Sequence, residues 1–300
     1  MNKTCIIILG PTAVGKTSLG LQVAKHFSTE IISADSRQCF KELNIGVAKP
    51  SSEQLQTVQH HFINSHSITE TVNAAVFETY ALEKASKIFE QNDVAVMVGG
   101  TGLYIKAFCE GIDTIPAIQP NIRDKINAKY ETHGLAWLQQ EVEKNDPAYY
   151  ATGEIKNPHR LMRALEVVLS TGQSIGSFQK KQEVKRDFNI IKVGLELPRE
   201  ELYDHINQRV DSMINEGLPE EVRALQPYKG FNALQTVGYK ELFNYLADET
   251  SLDEAIEAIK MNTRHYAKRQ MTWFKKDKSV QWCPPYYSDV FNLVQQIEPS

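Results

Sequence analysis

The chain has 300 residues, 42% hydrophobic and 23% charged, with a formal net charge of -4. That is enough apolar material for one large core, or for one domain carrying a smaller insertion, and the mild acidity leaves any contact with nucleic acid to local basic patches. Apolar runs such as Cys5–Leu9 and Val94–Val98 are too short for a membrane span, no signal-peptide pattern is present, and Cys5, Cys39, Cys109 and Cys283 lack metal-binding spacing; a cytoplasmic protein with reduced structural thiols is expected.

Cys5–Leu9 reads as the first strand. It runs into Gly10-Pro11-Thr12-Ala13-Val14-Gly15-Lys16-Thr17, which satisfies G-x-x-x-x-G-K-[ST], and a helical pattern follows over Thr17–His26. Such a loop turns backbone N–H groups onto phosphate oxygens at a helix N-terminus, while Lys16 adds a point charge and Thr17 can ligate Mg²⁺. The motif reports a phosphate and not the molecule that carries it.

Ile31–Ser33 reads as a second strand and leads to Asp35, at the sheet edge where α/β proteins bind ligands. Asp35 has three open roles: metal ligand, general base, or N-cap of the next segment. A helix follows over Ala74–Gln91, with Val76, Phe77, Tyr80, Leu82, Ile88 and Phe89 as its apolar residues, and then a strand over Val94–Val98. That strand runs into Gly99-Gly100-Thr101-Gly102, whereas a nucleotide-hydrolysing or kinase site would place an acidic residue there to manage the metal. Thr101 can donate a hydrogen bond into the cleft or simply shape the turn. The alternation predicts an α/β fold, a P-loop NTPase-like parallel sheet with helices on both faces.

A break at Gly111–Pro116, with Pro120 behind it, separates this half from a stretch, 121–182, that shows only helical patterns. The expected organisation is an α/β core over 1–115 and 188–300, with an all-helical insertion over 116–187. Within the insertion, Asn157-Pro158 starts a helix and Gly172 stops it. Leu161, Leu165 and Val168 share one face of that helix, and His159, Arg160 and Arg163 project to the other. Residues 156–186 hold Lys156, Arg160, Arg163, Lys180, Lys181, Lys185 and Arg186 against only Glu166 and Glu183.

Ile190–Leu197 reads as a strand returning to the sheet, followed by an amphipathic helix with Leu202, Ile206, Val210, Met213 and Ile214 inward, ended by Gly217 and Pro219. The last long helix, Leu252–Phe274, repeats Lys260, Arg264 and Lys268 at i, i+4, a basic stripe. Residues 257–278 carry seven positive charges against Glu257 and Asp277.

Seven segments in this order, GPTAVGKT, ADSRQ, IGVAKP (Ile45–Pro50), VGGTGLYIKA (Val98–Ala107), HRLMRALEV (His159–Val167), TVGYKE (Thr236–Glu241) and TRHYAKRQMTWF (Thr263–Phe274), closely resemble the tRNA dimethylallyltransferase family. The resemblance spans nearly the whole chain. It implies transfer of a dimethylallyl group from dimethylallyl diphosphate to N6 of the adenosine 3′ of the anticodon, with Mg²⁺ as cofactor and diphosphate as leaving group. That accounts for a phosphate loop without γ-phosphoryl machinery.

By the same resemblance, Lys16, Thr17 through Mg²⁺, the loop amides of Thr12–Thr17 and Arg209 hold the diphosphate. Asp35 matches the family's general base, and Thr101 a position near the reaction centre and the tRNA. Ser36, Arg37 and Gln38 would read bases. Arg123, the segment His159-Arg160-Leu161-Met162-Arg163, the segment Thr236-Val237-Gly238-Tyr239-Lys240, and Lys260, Arg264 and Lys268 match positions facing the anticodon stem-loop, and a monomer is expected. Val14 stands where the family often has Ser, and Cys39-Phe40 where Val-Tyr is usual.

Two other readings compete. An adenylate isopentenyltransferase would use a related loop with free AMP, ADP or ATP as acceptor, but would need neither the basic insertion nor the basic C-terminal helix. An ATP-dependent small-molecule kinase would need the acidic strand end that is missing.

Overall fold

The structure is a computed structural model that describes residues 3–113, 115–116, 118–179 and 184–295. In chain order its elements are β1 (Thr4–Leu9), α1 (Lys16–His26), β2 (Ile31–Ala34), α2 (Ser52–Thr57), β3 (His60–His61), α3 (Ala74–Gln91), β4 (Val94–Gly99), α4 (Gly102–Glu110), α5 (Pro120–Asn145), α6 (Pro147–Thr152), α7 (Pro158–Thr171) and α8 (Ile175–Phe178). They continue with β5 (Asn189–Leu195), α9 (Arg199–Asn215), α10 (Leu218–Ala224), α11 (Tyr239–Leu246), α12 (Leu252–Phe274), β6 (Val280–Cys283) and α13 (Tyr287–Gln295). Two compact units result: Met1–Glu110 with Lys185–Ser300, and Gly111–Val184.

The larger unit is built on a parallel sheet in the order β3-β2-β4-β1-β5-β6. All six residues of β1 are buried, which is what a central strand covered on both faces requires. Because side chains alternate, Cys5, Ile7 and Leu9 enter one core, with α3, α4 and α11, while Ile6 and Ile8 enter the other, with α1 and α13. The P-loop NTPase-like sheet with helices on both faces is therefore observed.

The helices expected over Ala74–Gln91 and Leu252–Phe274 have those bounds, although the buried face of α3 is Ala74, Phe77, Ala81, Ala85 and Ile88, with alanines where larger apolar residues were expected. Small side chains let the helix lie close to the sheet. The sequence missed β3 and β6, edge strands of two and four residues, too short to show a period. All four cysteines are free and buried.

Helices are the only regular elements among the smaller unit's described residues. Its core is Ile126, Leu138, Val142, Leu161 and Leu165, so α5 and α7 pack along one another. α7 starts as its sequence dictates, with Asn157 accepting from the Arg160 N–H at 3.3 Å and Pro158 in the first turn, and stops at Gly172, whose φ of 71° suits glycine. Leu161 is fully buried, which removes its side chain from any RNA contact, and Met162 packs against the same core.

The basic face of α7 is also less free than its sequence implies. Glu166, only 5% exposed, accepts Arg123 Nε at 2.9 Å and Nη2 at 3.1 Å, and Arg163 Nη1 at 3.2 Å. A nearly buried carboxylate must be paired, and two arginines do it. Arg160 pairs with Glu154 at 2.7 Å, and His159 is exposed. Lys180, Lys181 and Glu183 lie outside the described residues.

Candidate active site

The loop after β1 is shaped by three residues in the left-handed region or beside it: Gly10 (φ 149°), Ala13 (φ 65°) and Gly15 (φ 97°). At Gly10 a Cβ would sit 2.7 Å from the Leu195 carbonyl oxygen, so only glycine lets the loop pass the end of β5. Gly15 caps α1 without a side-chain acceptor, which leaves the helix's first N–H groups open to an anion. Val14, 1% exposed, packs beneath the loop.

Lys16 Nζ donates to the Pro11 carbonyl at 2.5 Å, and Arg209, from α9, reaches Thr12 Oγ1 at 3.4 Å. Burial lowers the Lys16 ammonium to about 7, helped by the Arg209 charge and opposed by Asp35. Burial likewise lowers Arg209. Two cations desolvated side by side form a site whose electrostatic strain a polyanion relieves.

With Lys16 near 7 in the free protein, it is increasingly neutral above that pH, and a polyanion bound there would restore its charge by drawing in a proton. Affinity for inorganic diphosphate, used as the probe, should therefore weaken as pH rises from about 7 to about 9, with proton uptake on binding near pH 8. Calorimetry in buffers of different ionisation enthalpy measures that uptake; none at pH 8 would contradict the assignment.

Across the cleft, Asp35 follows β2. Its Oδ1 accepts the N–H groups of Arg37 at 2.8 Å and Gln38 at 3.2 Å. Among the described residues Oδ2 has no hydrogen-bond partner. Asp35 thus caps its turn with one oxygen and holds the other available for a proton, so the cap and base roles coexist. Thr101 Oγ1 accepts the Ser36 N–H at 3.0 Å, and Thr101 N–H donates to the Ala34 carbonyl at 3.1 Å. The Tyr266 hydroxyl lies in the same cleft, and desolvation together with the Asp35 charge pushes it up to about 12. Beneath this turn, burial and Asp35 push the Cys39 thiol to about 12, leaving it a packing group and not a nucleophile.

These elements line one cleft of about 1200 Å³ that contains Thr12, Lys16, Thr17, Asp35, Ser36, Arg37, Gln38, Arg209, Thr236, Val237, Gly238, Lys240, Tyr266 and Gln270. Most of the expected core-unit residues are there. Thr101 is not in the lining, its Oγ1 being engaged by the Ser36 N–H, and neither is Tyr239. Tyr239 is fully buried and its hydroxyl donates to Glu221 Oε1 at 2.5 Å, so it supports the Ile45–Gly46 turn, whose N–H groups bind the same carboxylate, and cannot face RNA. Gly238 turns the chain at φ 96° and its N–H donates to Glu241 at 2.8 Å.

Gln38 has its amide committed, accepting from Ser33 Oγ at 3.2 Å and donating to the Val47 and Ala48 carbonyls at 3.2 and 3.0 Å. It is a scaffold for the IGVAKP segment, not a free reader of bases. Arg37 donates to the Asn232 carbonyl at 3.0 Å. The Thr12 N–H donates to Gln270 Oε1 at 2.8 Å and so is not among the amides open to phosphate.

The basic stripe on α12 needs the same revision. Lys260 pairs with Asp211 at 2.8 Å and Glu257 at 3.1 Å, and Arg264 donates to Asn207 at 2.7 Å and stacks over Tyr203. Both are therefore partnered, chiefly to α9, and only Lys268 of the three is exposed without such a partner among the described residues. The face of α12 that meets the cleft runs through Asn262, Thr263, Tyr266, Arg269 and Gln270, so the one α12 cation lining the cleft is Arg269, which lies outside the i, i+4, i+8 stripe.

A parallel α/β sheet, a glycine-bounded phosphate loop with two desolvated cations, and a half-free carboxylate opposite define a P-loop group-transfer enzyme. The IPP transferase family model matches residues 38–277, beginning just after Asp35, and over 282 residues the chain is 51% identical to a tRNA dimethylallyltransferase of Christiangramia forsetii, covering 94% of this chain and 93% of that one. The chain belongs to the IPP transferase family. It is also 46% identical to tRNA dimethylallyltransferase 1 of Bacteroides fragilis, over 94% of each chain. The crystal structure of the full-length tRNA isopentenylpyrophosphate transferase from Bacillus halodurans superposes with a TM-score of 0.72 at 33% identity, covering 98% of this chain and 96% of that one. A eukaryotic dimethylallyltransferase acting on tRNA shares the fold, with a TM-score of 0.79 at 24% identity over 98% of this chain and 77% of that one.

Proposed function

We propose that the protein transfers the dimethylallyl group of dimethylallyl diphosphate to N6 of the adenosine 3′ of the anticodon in tRNA, releasing diphosphate. The observation that supports this most is the division of the cleft: cations and helix N–H groups on the loop side, and the unpartnered oxygen of Asp35 on the other.

As the allylic C1–O bond breaks, its electron pair leaves with the diphosphate, and Lys16, Arg209 and the first N–H groups of α1 stabilise the charge that builds there. N6 forms the new bond to C1. Its proton passes to Asp35 Oδ2, since the amine's lone pair is delocalised into the purine until that proton departs. No group of three His, Cys, Asp or Glu side chains that could hold a metal occurs among the described residues. Mg²⁺ keeps several waters and is held chiefly by phosphate oxygens with few protein ligands; Thr17, which lines the cleft beside Lys16, would be its ligand here. When bound, it would supply Lewis-acid stabilisation of the leaving oxygens.

A base in a stacked loop has to be extruded to reach the cleft. Lys240, Lys268, His159 and Arg160 are exposed and remain the RNA-facing candidates, with phosphate contacts setting position. No helix among the described residues is long and apolar enough to cross a membrane.

The test offers labelled dimethylallyl diphosphate and Mg²⁺ with unmodified tRNA, AMP or ATP. Label should appear on tRNA alone. Label confined to the free nucleotide would indicate an adenylate isopentenyltransferase, and ATP hydrolysis without transfer a kinase-like enzyme.

A further inference from the structure

Of the polar residues that helix α12 brings to the cleft, Asn262, Tyr266 and Gln270 lie one turn apart. Asn262 Nδ2 donates to Glu241 Oε1 at 2.7 Å, Tyr266 lines the cleft, and Gln270 makes two bonds to backbone. Its Oε1 accepts the Thr12 N–H at 2.8 Å, and its Nε2 donates to the Gly100 carbonyl at 2.9 Å. Gln270 is 6% exposed, and a Cβ at Gly100 would collide with its amide nitrogen. Gly100 precedes Thr101, which accepts from Ser36, the neighbour of Asp35. One neutral amide therefore joins the open limb of the phosphate loop to the strand end that holds the Asp35 turn.

We propose that Gln270 is a positioning residue of the transfer reaction, setting the spacing between the loop that grips the leaving diphosphate and the carboxylate that faces the acceptor amine. This rests on the function proposed above. Gly100 is buried and Thr12 half-buried, so the amide both satisfies these two backbone groups and fixes their separation. For a reaction between two bound partners a displacement of about 1 Å can cost about 100-fold in rate.

The experiment compares wild type, Gln270→Leu and Gln270→Glu in steady-state transfer from dimethylallyl diphosphate to unmodified tRNA, with melting curves alongside. For Gln270→Leu, kcat should fall about 100-fold while the donor KM stays within about threefold, because Lys16, Arg209 and the α1 N-terminus still hold the diphosphate. For Gln270→Glu, the ionised carboxylate accepts from Thr12 but repels the Gly100 carbonyl, whereas the protonated acid can replace both bonds. Burial raises such a carboxyl, so the ratio of its kcat to that of wild type should climb between about pH 8 and about pH 6. Taking the ratio cancels any pH dependence the two enzymes share.

A Gln270→Leu loss that appears only in the donor KM, wild-type kcat in both variants, or a ratio independent of pH would overturn the proposal. If Gln270→Leu does not fold, the Gln270→Glu ratio decides. Absence of transfer by wild type would overturn the functional reading and this inference with it, and is recognised before any substitution is made.

Discussion

Asp35→Asn should lose about 1,000-fold or more of kcat while still binding dimethylallyl diphosphate, the range general-base removal commonly covers. Asparagine keeps an oxygen that can accept from the Arg37 and Gln38 N–H groups, at 2.8 and 3.2 Å in the present structure, so the turn survives. Oδ2, however, becomes a nitrogen that carries protons and cannot take one. The separation of roles within one carboxylate makes this substitution informative. Asp35→Ala removes both functions, and its extra loss of stability reports the cap alone, about 1 kcal/mol by analogy with helix caps. Single-turnover rates and melting temperatures for the two variants check the assignment. Normal turnover in a well-folded Asp35→Asn would remove Asp35 from the chemistry.

Lys16→Met should lower kcat/KM by about 100-fold to about 1,000-fold, the usual cost of deleting one donor aimed at developing charge. Its effect on stability should have the opposite sign. Lys16 falls from an ordinary value of 10.5 to about 7 in the folded protein, mainly through burial. A base whose folded value is depressed opposes folding wherever the unfolded chain is protonated and the folded one is not favoured to be. The penalty is absent above about pH 10.5, grows as pH falls toward about 7, and is complete below that. Lys16→Met should therefore melt at a higher temperature than wild type near pH 6, with the difference shrinking toward pH 10. Lower activity with higher stability is the mark of a group held under strain for function. Lower stability at pH 6 would show that the Pro11 contact is structural and the strain absent.

Much of this arrangement was legible in the sequence where local chemistry determines local structure. Gly10, Gly15 and Lys16 announce a phosphate loop because the backbone conformation and the charge come from the residues themselves. Asn157, Pro158 and Gly172 delimit α7 for the same reason. What stayed hidden depends on partners distant in the chain. Gln270 meets Thr12 across 258 positions, and nothing near either residue encodes the bond. Arg123 and Arg163 look like free cations until Glu166 closes on both. Lys260 and Arg264 look like a docking stripe until α9 supplies Asp211 and Asn207. Tyr239 and Leu161 sit in motifs of the family, yet their burial makes them supports for the surface rather than part of it.

The most direct test of the account is chemical mapping of the product. Unmodified tRNA is incubated with the protein, Mg²⁺ and dimethylallyl diphosphate, then digested with nuclease and its nucleosides and fragments identified by mass spectrometry. The account predicts one new nucleoside, adenosine alkylated at N6, in the fragment next to the anticodon, and release of one diphosphate for each group transferred. Unaltered tRNA, or alkylation found only on free adenine nucleotides, would contradict it.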